Sequence, residues 1–146
     1  MTLTWMKPFL KNSWTGQAEL WTDPSGHQAE SSTCSLQFRT DRIDYRWAYQ
    51  GELQRGSFLF RDEQFQWTDT WHQAKPVSCQ LIPDRRGLIT LEYDYPAPPG
   101  PDWGWRIMLS QRPDGTLVLQ MANIAPWGEE NRAVRMIFQA DFSDMI

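Results

Sequence analysis

Few residues in this chain have chemistry to offer, and one stretch holds two of them: Gln64-Phe65-Gln66-Trp67-Thr68-Asp69-Thr70-Trp71-His72. The segment alternates. Phe65, Trp67, Asp69 and Trp71 fall on one side, and Gln66, Thr68, Thr70 and His72 on the other, which is the period of a half-buried strand. Asp69 is thus a carboxylate in a row of large aromatics, where a charge must be paired, hydrogen-bonded or neutralised. Two readings stay open. Asp69 orients or deprotonates a ligand between Trp67 and Trp71, or it is architectural and pairs with an arginine, Arg106 or Arg135. His72 offers a general base, a haem ligand or a plain strand-end residue. Strict alternation turns it away from Asp69 unless a bulge intervenes.

Other candidates lie downstream. Arg106 follows Trp103-Gly104-Trp105. A guanidinium in an aromatic strand forks onto a carboxylate, here Asp69 or a ligand acid, or it points outward over a neighbouring tyrosine. Asn123 ends an apolar strand in phase with Leu117, Leu119 and Met121; its amide orients a ligand or ties down the loop at Pro126. Glu129-Glu130 reads as solvated charge and His27 as plain loop. Gly-x-Ser-x-Gly, a phosphate-binding glycine loop and Cys-x-x-Cys do not occur. Cys34 and Cys79 stand far apart without metal-ligand spacing and read as reduced thiols.

The elements that must position these residues are short strands. Segments 14–21, 29–38, 43–49, 57–60, 64–72, 77–82, 88–95, 103–111, 117–124 and 132–140 each show strand patterning. Turn chemistry separates them: Asp23-Pro24-Ser25-Gly26, Thr40-Asp41, Gly51, Pro83-Asp84-Arg85-Arg86-Gly87 and Pro113-Asp114-Gly115. Pro96-Ala97-Pro98-Pro99-Gly100-Pro101 cannot continue a sheet and forms the longest loop, a candidate rim or lid. Residues 7–12 suit one helical turn, too short to stand alone. About ten strands at even spacing predict an all-β fold, a sandwich or a barrel. Consecutive short turns favour an up-and-down meander closed into a barrel, because closure removes the edges.

No internal repeat or linker divides residues 1–146, so a single domain is expected, long enough to bury a core. Nine tryptophans must be placed in a packed interior, a cavity wall or an interface. A net charge of −4 with interspersed signs argues against a general nucleic-acid binder. The chain has no apolar run of membrane-spanning length, and its first residues lack a signal-peptide pattern. A cytoplasmic protein is expected, bound neither to membrane nor to nucleic acid, with homodimerisation open.

Asn12-Ser13-Trp14-Thr15-Gly16 resembles the Gly-x-Trp opening of lipocalin-type barrels, with Asn12 in the place of the glycine. Trp67-Thr68-Asp69-Thr70-Trp71-His72, Trp103-Gly104-Trp105-Arg106 and the segment from Met121 to Val134 are similar to an uncharacterised bacterial family of calycin-like domains. The resemblance runs from about Trp14 to Phe138. It implies a lipocalin-like or fatty-acid-binding-protein-like barrel and carries no established activity. It also implies that Trp14 lies across the closed end and meets a last-strand arginine, Arg132 or Arg135. The expected function is a small-molecule-binding barrel. A hydrophobic ligand is held in an aromatic-lined cavity by Trp67, Asp69, Trp71, Trp105, Arg106 and Asn123. The alternative is an isomerase or lyase, bilin-lyase-like, acting on such a ligand with Asp69 or His72 as proton carrier. No metal is expected, and haem through His72 is the one cofactor route considered. A solid core of aromatics is the third reading.

Overall fold

The computed structural model describes residues 4–22, 27–62, 64–83 and 87–141. The turn expected at 23–26, residue Glu63 and most of the turn at 83–87 lie outside the described residues. The chain opens with a 3₁₀ turn (Thr4–Phe9). Ten strands follow: β1 (Ser13–Trp21), β2 (Ala29–Phe38), β3 (Arg42–Tyr49), β4 (Glu52–Arg61), β5 (Gln64–Asp69), β6 (Gln73–Leu81), β7 (Ile89–Tyr95), β8 (Trp103–Gln111), β9 (Leu117–Ile124) and β10 (Glu130–Asp141). Each strand pairs antiparallel with its sequence neighbour, and β10 returns to β1, closing the barrel. The all-β meander barrel with a helical lead-in is therefore the observed architecture.

The turns work as their residues dictate. Tyr49 pairs with Glu52 across Gln50 and Gly51, both at positive φ, which is the two-residue hairpin geometry whose twist matches the strands. Gly115, also at positive φ, donates its N–H to the Arg112 carbonyl, and the Asp114 carboxylate accepts from Thr116. The fourth strand begins five residues earlier than its Ser57 start predicted from sequence, and the fifth ends three residues sooner, at Asp69. Pro76 lies inside β6, opposite a stretch where the ladder to β7 is missing. Those two strands pair only at Gln80–Glu92 and Leu81–Leu91, so the absent proline donor breaks no bond there. A second gap separates the upper halves of β2 and β3, where the Ala48 N–H reaches Ser32 Oγ instead.

One end is closed. Met6 and Phe9 of the 3₁₀ turn are buried, Phe9 stacking on Phe38 and meeting Trp14 edge-on at 5.9 Å. Trp14 is buried as the resemblance implied, but its arginine contact is not made. The last-strand guanidinium groups lie instead on Trp21, at the opposite end of β1: Arg132 at 4.4 Å and Arg135 at 5.7 Å from that ring. The physical reason is register. Trp14 pairs with Ala140, eight residues beyond Arg132, while Leu20 pairs with Val134. Trp14→Ala should cost about 3 kcal/mol in urea unfolding, the low end for losing a buried Trp. Its indole N–H has no partner among the described residues, so no hydrogen bond is lost with it. A loss under about 1 kcal/mol, the size of a single surface contact, would show that the closed end does not depend on the indole.

Gly16 sits where β1 and β10 close the barrel. A Cβ there would fall 1.7 Å from the Ile137 carbonyl oxygen, so a glycine permits the approach of the two backbones. Interior positions are filled by side chains: Tyr45, Trp47, Trp67, Leu91, Leu119, Met121 and Phe138 are among the fully buried ones. Cys34 and Cys79 are buried free thiols, and burial pushes both pKa values up to about 12.

Candidate functional site

At the end opposite the 3₁₀ turn lie the connections after β1, β3, β5, β7 and β9, the first only partly within the described residues. β5 delivers Asp69 to this end. As the alternation predicts, Phe65, Trp67 and Asp69 face inward, and Asp69 is 1% exposed. No arginine among the described residues meets it. Arg106 points outward and bonds Glu92 at 2.6 Å and Glu130 at 3.0 Å; Arg135 bonds Glu19. Both pairings with Asp69 considered from sequence are thereby corrected. Arg106 pairs with Glu92 across the β7–β8 ladder, and that register fixes its outward face.

What partners Asp69 is the backbone of its own turn and a tyrosine. Its Oδ1 accepts the N–H groups of Trp71 at 2.8 Å and His72 at 3.0 Å, a side-chain cap on the turn Thr70–His72. Its Oδ2 accepts the Tyr45 hydroxyl at 2.5 Å, and that hydroxyl in turn accepts the Trp67 indole N–H at 2.9 Å. Tyr45, Gly56 and Asp69 are consecutive cross-strand neighbours on β3, β4 and β5. Tyr45 reaches Asp69 by lying over Gly56: a Cβ on Gly56 would sit 2.0 Å from Tyr45 Cζ. The sequence reading missed both residues. A glycine inside a strand is the signal that could have found them, since it marks close approach of another group.

Because the turn folds back under this cap, alternation fails after Asp69. A register shift falls between Trp67 and Asp69. His72 consequently turns inward, correcting the expectation that it faces away from Asp69. Its Nδ1 lies 3.4 Å from Asp69 Oδ1, an electrostatic approach rather than a formed hydrogen bond. Trp71, expected inside, is 46% exposed and packs on Tyr49 at 4.5 Å, on the rim.

The imidazole of His72 stacks on Trp47 with centroids 5.6 Å apart and tilts against Trp105 at 5.2 Å. Trp105 stacks in turn on Trp67 at 5.7 Å. The aromatics read from sequence as cavity walls thus pack against one another inside the barrel. Both Trp47 and Trp105 are buried, and neither indole N–H has a partner among the described residues. Asn123, paired in register with Trp105, accepts the Tyr95 hydroxyl at 2.5 Å, and the Tyr93 hydroxyl donates to Gln73 across the β6–β7 gap. A groove of about 510 Å³ lies over that gap. Glu129 and Glu130 are exposed, as read from sequence, and each makes a surface contact: Glu129 accepts the Trp127 indole N–H at 2.9 Å, and Glu130 pairs with Arg106.

Burial by itself would raise the Asp69 carboxyl. The His72 side chain, the Tyr45 hydroxyl and the His72 backbone N–H outweigh it and hold the group below the usual carboxylate range. Burial pushes Tyr45 well above its ordinary value, and the Asp69 charge adds to that. The pair is therefore a carboxylate accepting from a neutral phenol. Among the described residues no group of three or more His, Cys, Asp or Glu side chains could hold a metal ion, and no helix is long and apolar enough to cross a membrane.

Fold and site define a closed ten-stranded antiparallel barrel, consistent with a calycin-like fold, with an aromatic cluster toward the end opposite the 3₁₀ turn. No family model and no curated protein matches this chain.

Proposed function

We propose that this barrel binds a small, largely apolar molecule at the end opposite the 3₁₀ turn, through an acceptor group on that molecule. The observation that carries the reading is the pair of buried indole N–H groups on Trp47 and Trp105, both on rings packed against His72 and both without a protein acceptor among the described residues. Buried donors are paired in the great majority of cases, so two orphans on one small cluster favour an acceptor supplied from outside the chain. Trp71, Tyr95 and Asn123 give that end an aromatic rim with a few polar groups, the usual make-up of a ligand site. The molecule sits at the mouth, above Trp67 and Asp69, which support the cluster from below. The barrel architecture supports membership in the calycin-like bacterial family that the sequence motifs resemble.

Native mass spectrometry of protein purified from its own cells should retain an added mass. Trp47→Phe and Trp105→Phe keep the ring and remove the donor, and each should weaken retention about 5–10-fold, the worth of one hydrogen bond. An added mass held equally by both variants would sink the reading, as would a chain that carries none.

A further inference from the structure

His72 has an orientation that binding alone does not use. Asp69 Oδ1 faces its Nδ1 at 3.4 Å while accepting the backbone N–H groups of Trp71 and His72. A carboxylate oxygen so placed repels an imidazole lone pair and attracts an N–H. The neutral ring therefore carries its proton on Nδ1 and its lone pair on Nε2. Nδ1 is buried, while the side chain as a whole keeps 14% exposure. Packed against that ring are Trp47 and Trp105, whose buried indole N–H groups have no acceptor among the described residues. An oriented base next to idle donors, in an apolar aromatic wall, suits removal of a proton from carbon with stabilisation of the negative charge that forms on a nearby oxygen.

We infer that this cluster moves a proton within a bound planar carbonyl compound, an inference that rests on the binding site proposed above. His72 Nε2 takes a proton from the carbon next to the carbonyl. The C–H pair becomes the C=C bond of an enolate, and the C=O π pair moves to oxygen, where the indole N–H groups hold it. On collapse, Nε2 returns the proton to a conjugated carbon and the C=O bond re-forms. The product is an isomer, nothing is oxidised or reduced, and no co-reactant is consumed. His72 is the catalytic residue, and Asp69 is a positioning residue that fixes its tautomer.

A nitrobenzisoxazole tests the base directly. Loss of its ring C–H proton to Nε2 sends that electron pair into a C≡N bond and breaks the N–O bond, whose pair stays on oxygen as a coloured phenolate. The wild-type protein should accelerate this reaction about 100-fold over the same concentration of free imidazole, the low end for a positioned base. His72→Gln should return it to background, while His27→Gln, which removes the other histidine of the chain, should keep the wild-type rate. Trp105→Phe should lower it about 10-fold, the cost of losing one donor to the developing charge. Quenching of tryptophan fluorescence by the matching nitroindazole, which has no N–O bond to break, reports binding separately. Quenching without turnover overturns proton transfer and leaves the binding reading standing; neither quenching nor turnover overturns both. Turnover that survives in His72→Gln also overturns the inference. Should that variant not fold, nitrogen NMR of the wild-type imidazole decides: the Nδ1–H tautomer supports the inference, and the Nε2–H tautomer overturns it.

Discussion

Asp69→Ala should destabilise the barrel by about 4–6 kcal/mol, because three donors lose their acceptor at once and each buried orphan costs about 1–3 kcal/mol. Those donors are the Tyr45 hydroxyl and the backbone N–H groups of Trp71 and His72. The turn that carries His72 inward loses its cap in the same step, so loss of the Trp47–His72 stacking should accompany the loss of stability. Urea midpoints measure the first, and the near-ultraviolet circular dichroism of the tryptophans reports the second. A midpoint within about 0.5 kcal/mol of wild type, the range of an ordinary surface change, would refute the capping role.

The same carboxyl gives the protein a pH signature. Its folded-state pKa lies below the unfolded value of about 3.9, so its contribution is fully present above that value and is lost as pH falls through the lower folded one. Wild-type stability should therefore drop on acidification below about pH 4, and Asp69→Asn should flatten this limb, since an amide has no proton to gain there. An acid limb of unchanged slope in Asp69→Asn would assign the acid sensitivity to other carboxylates.

Gly56→Ala should cost about 5 kcal/mol, a large effect for one methyl group. The new Cβ would fall 2.0 Å from Tyr45 Cζ and 2.1 Å from its hydroxyl oxygen. Tyr45 is fully buried and tied to both Asp69 and Trp67, so it cannot yield without breaking those bonds. Overpacking alone costs about 1–3 kcal/mol; expelling the ring adds the lost burial and leaves the Asp69 and Trp67 groups without their shared partner. The double variant Gly56→Ala with Tyr45→Ala offers the ring's space to the methyl group, so the cost of adding the methyl should fall to under about 1 kcal/mol in that background. Equal methyl costs in the two backgrounds would mean that Gly56 matters for its backbone and not for the ring above it.

Much of this molecule was legible in its residues. The period-two patterns and turn chemistry specify ten strands in meander order, because alternation and φ preferences are local properties that a sequence displays directly. The inward set Phe65, Trp67 and Asp69 was legible for the same reason. So was the need of Asp69 for a partner, which comes from the cost of burying a charge. Which partner it found was not legible. Tyr45 lies 24 residues away, and it meets Asp69 only because barrel register sets β3, β4 and β5 side by side with a glycine between. Arg106 and Arg135 carry the right charge but stand on the outer face, where Glu92, Glu130 and Glu19 take them.

Alternation placed Asp69 and could not place Trp71 or His72. A strand's phase holds only while its ladder continues, and β5 stops at the residue whose side chain caps the next turn. That cap, in which Asp69 accepts two backbone N–H groups of its own turn, sends Trp71 to the rim and His72 into the barrel. The sequence by itself thus determined strands, order and the demand for a buried acceptor. Only the tertiary structure decided which groups answered it, because cross-strand register and a single capped turn, neither visible in local patterning, choose the neighbours.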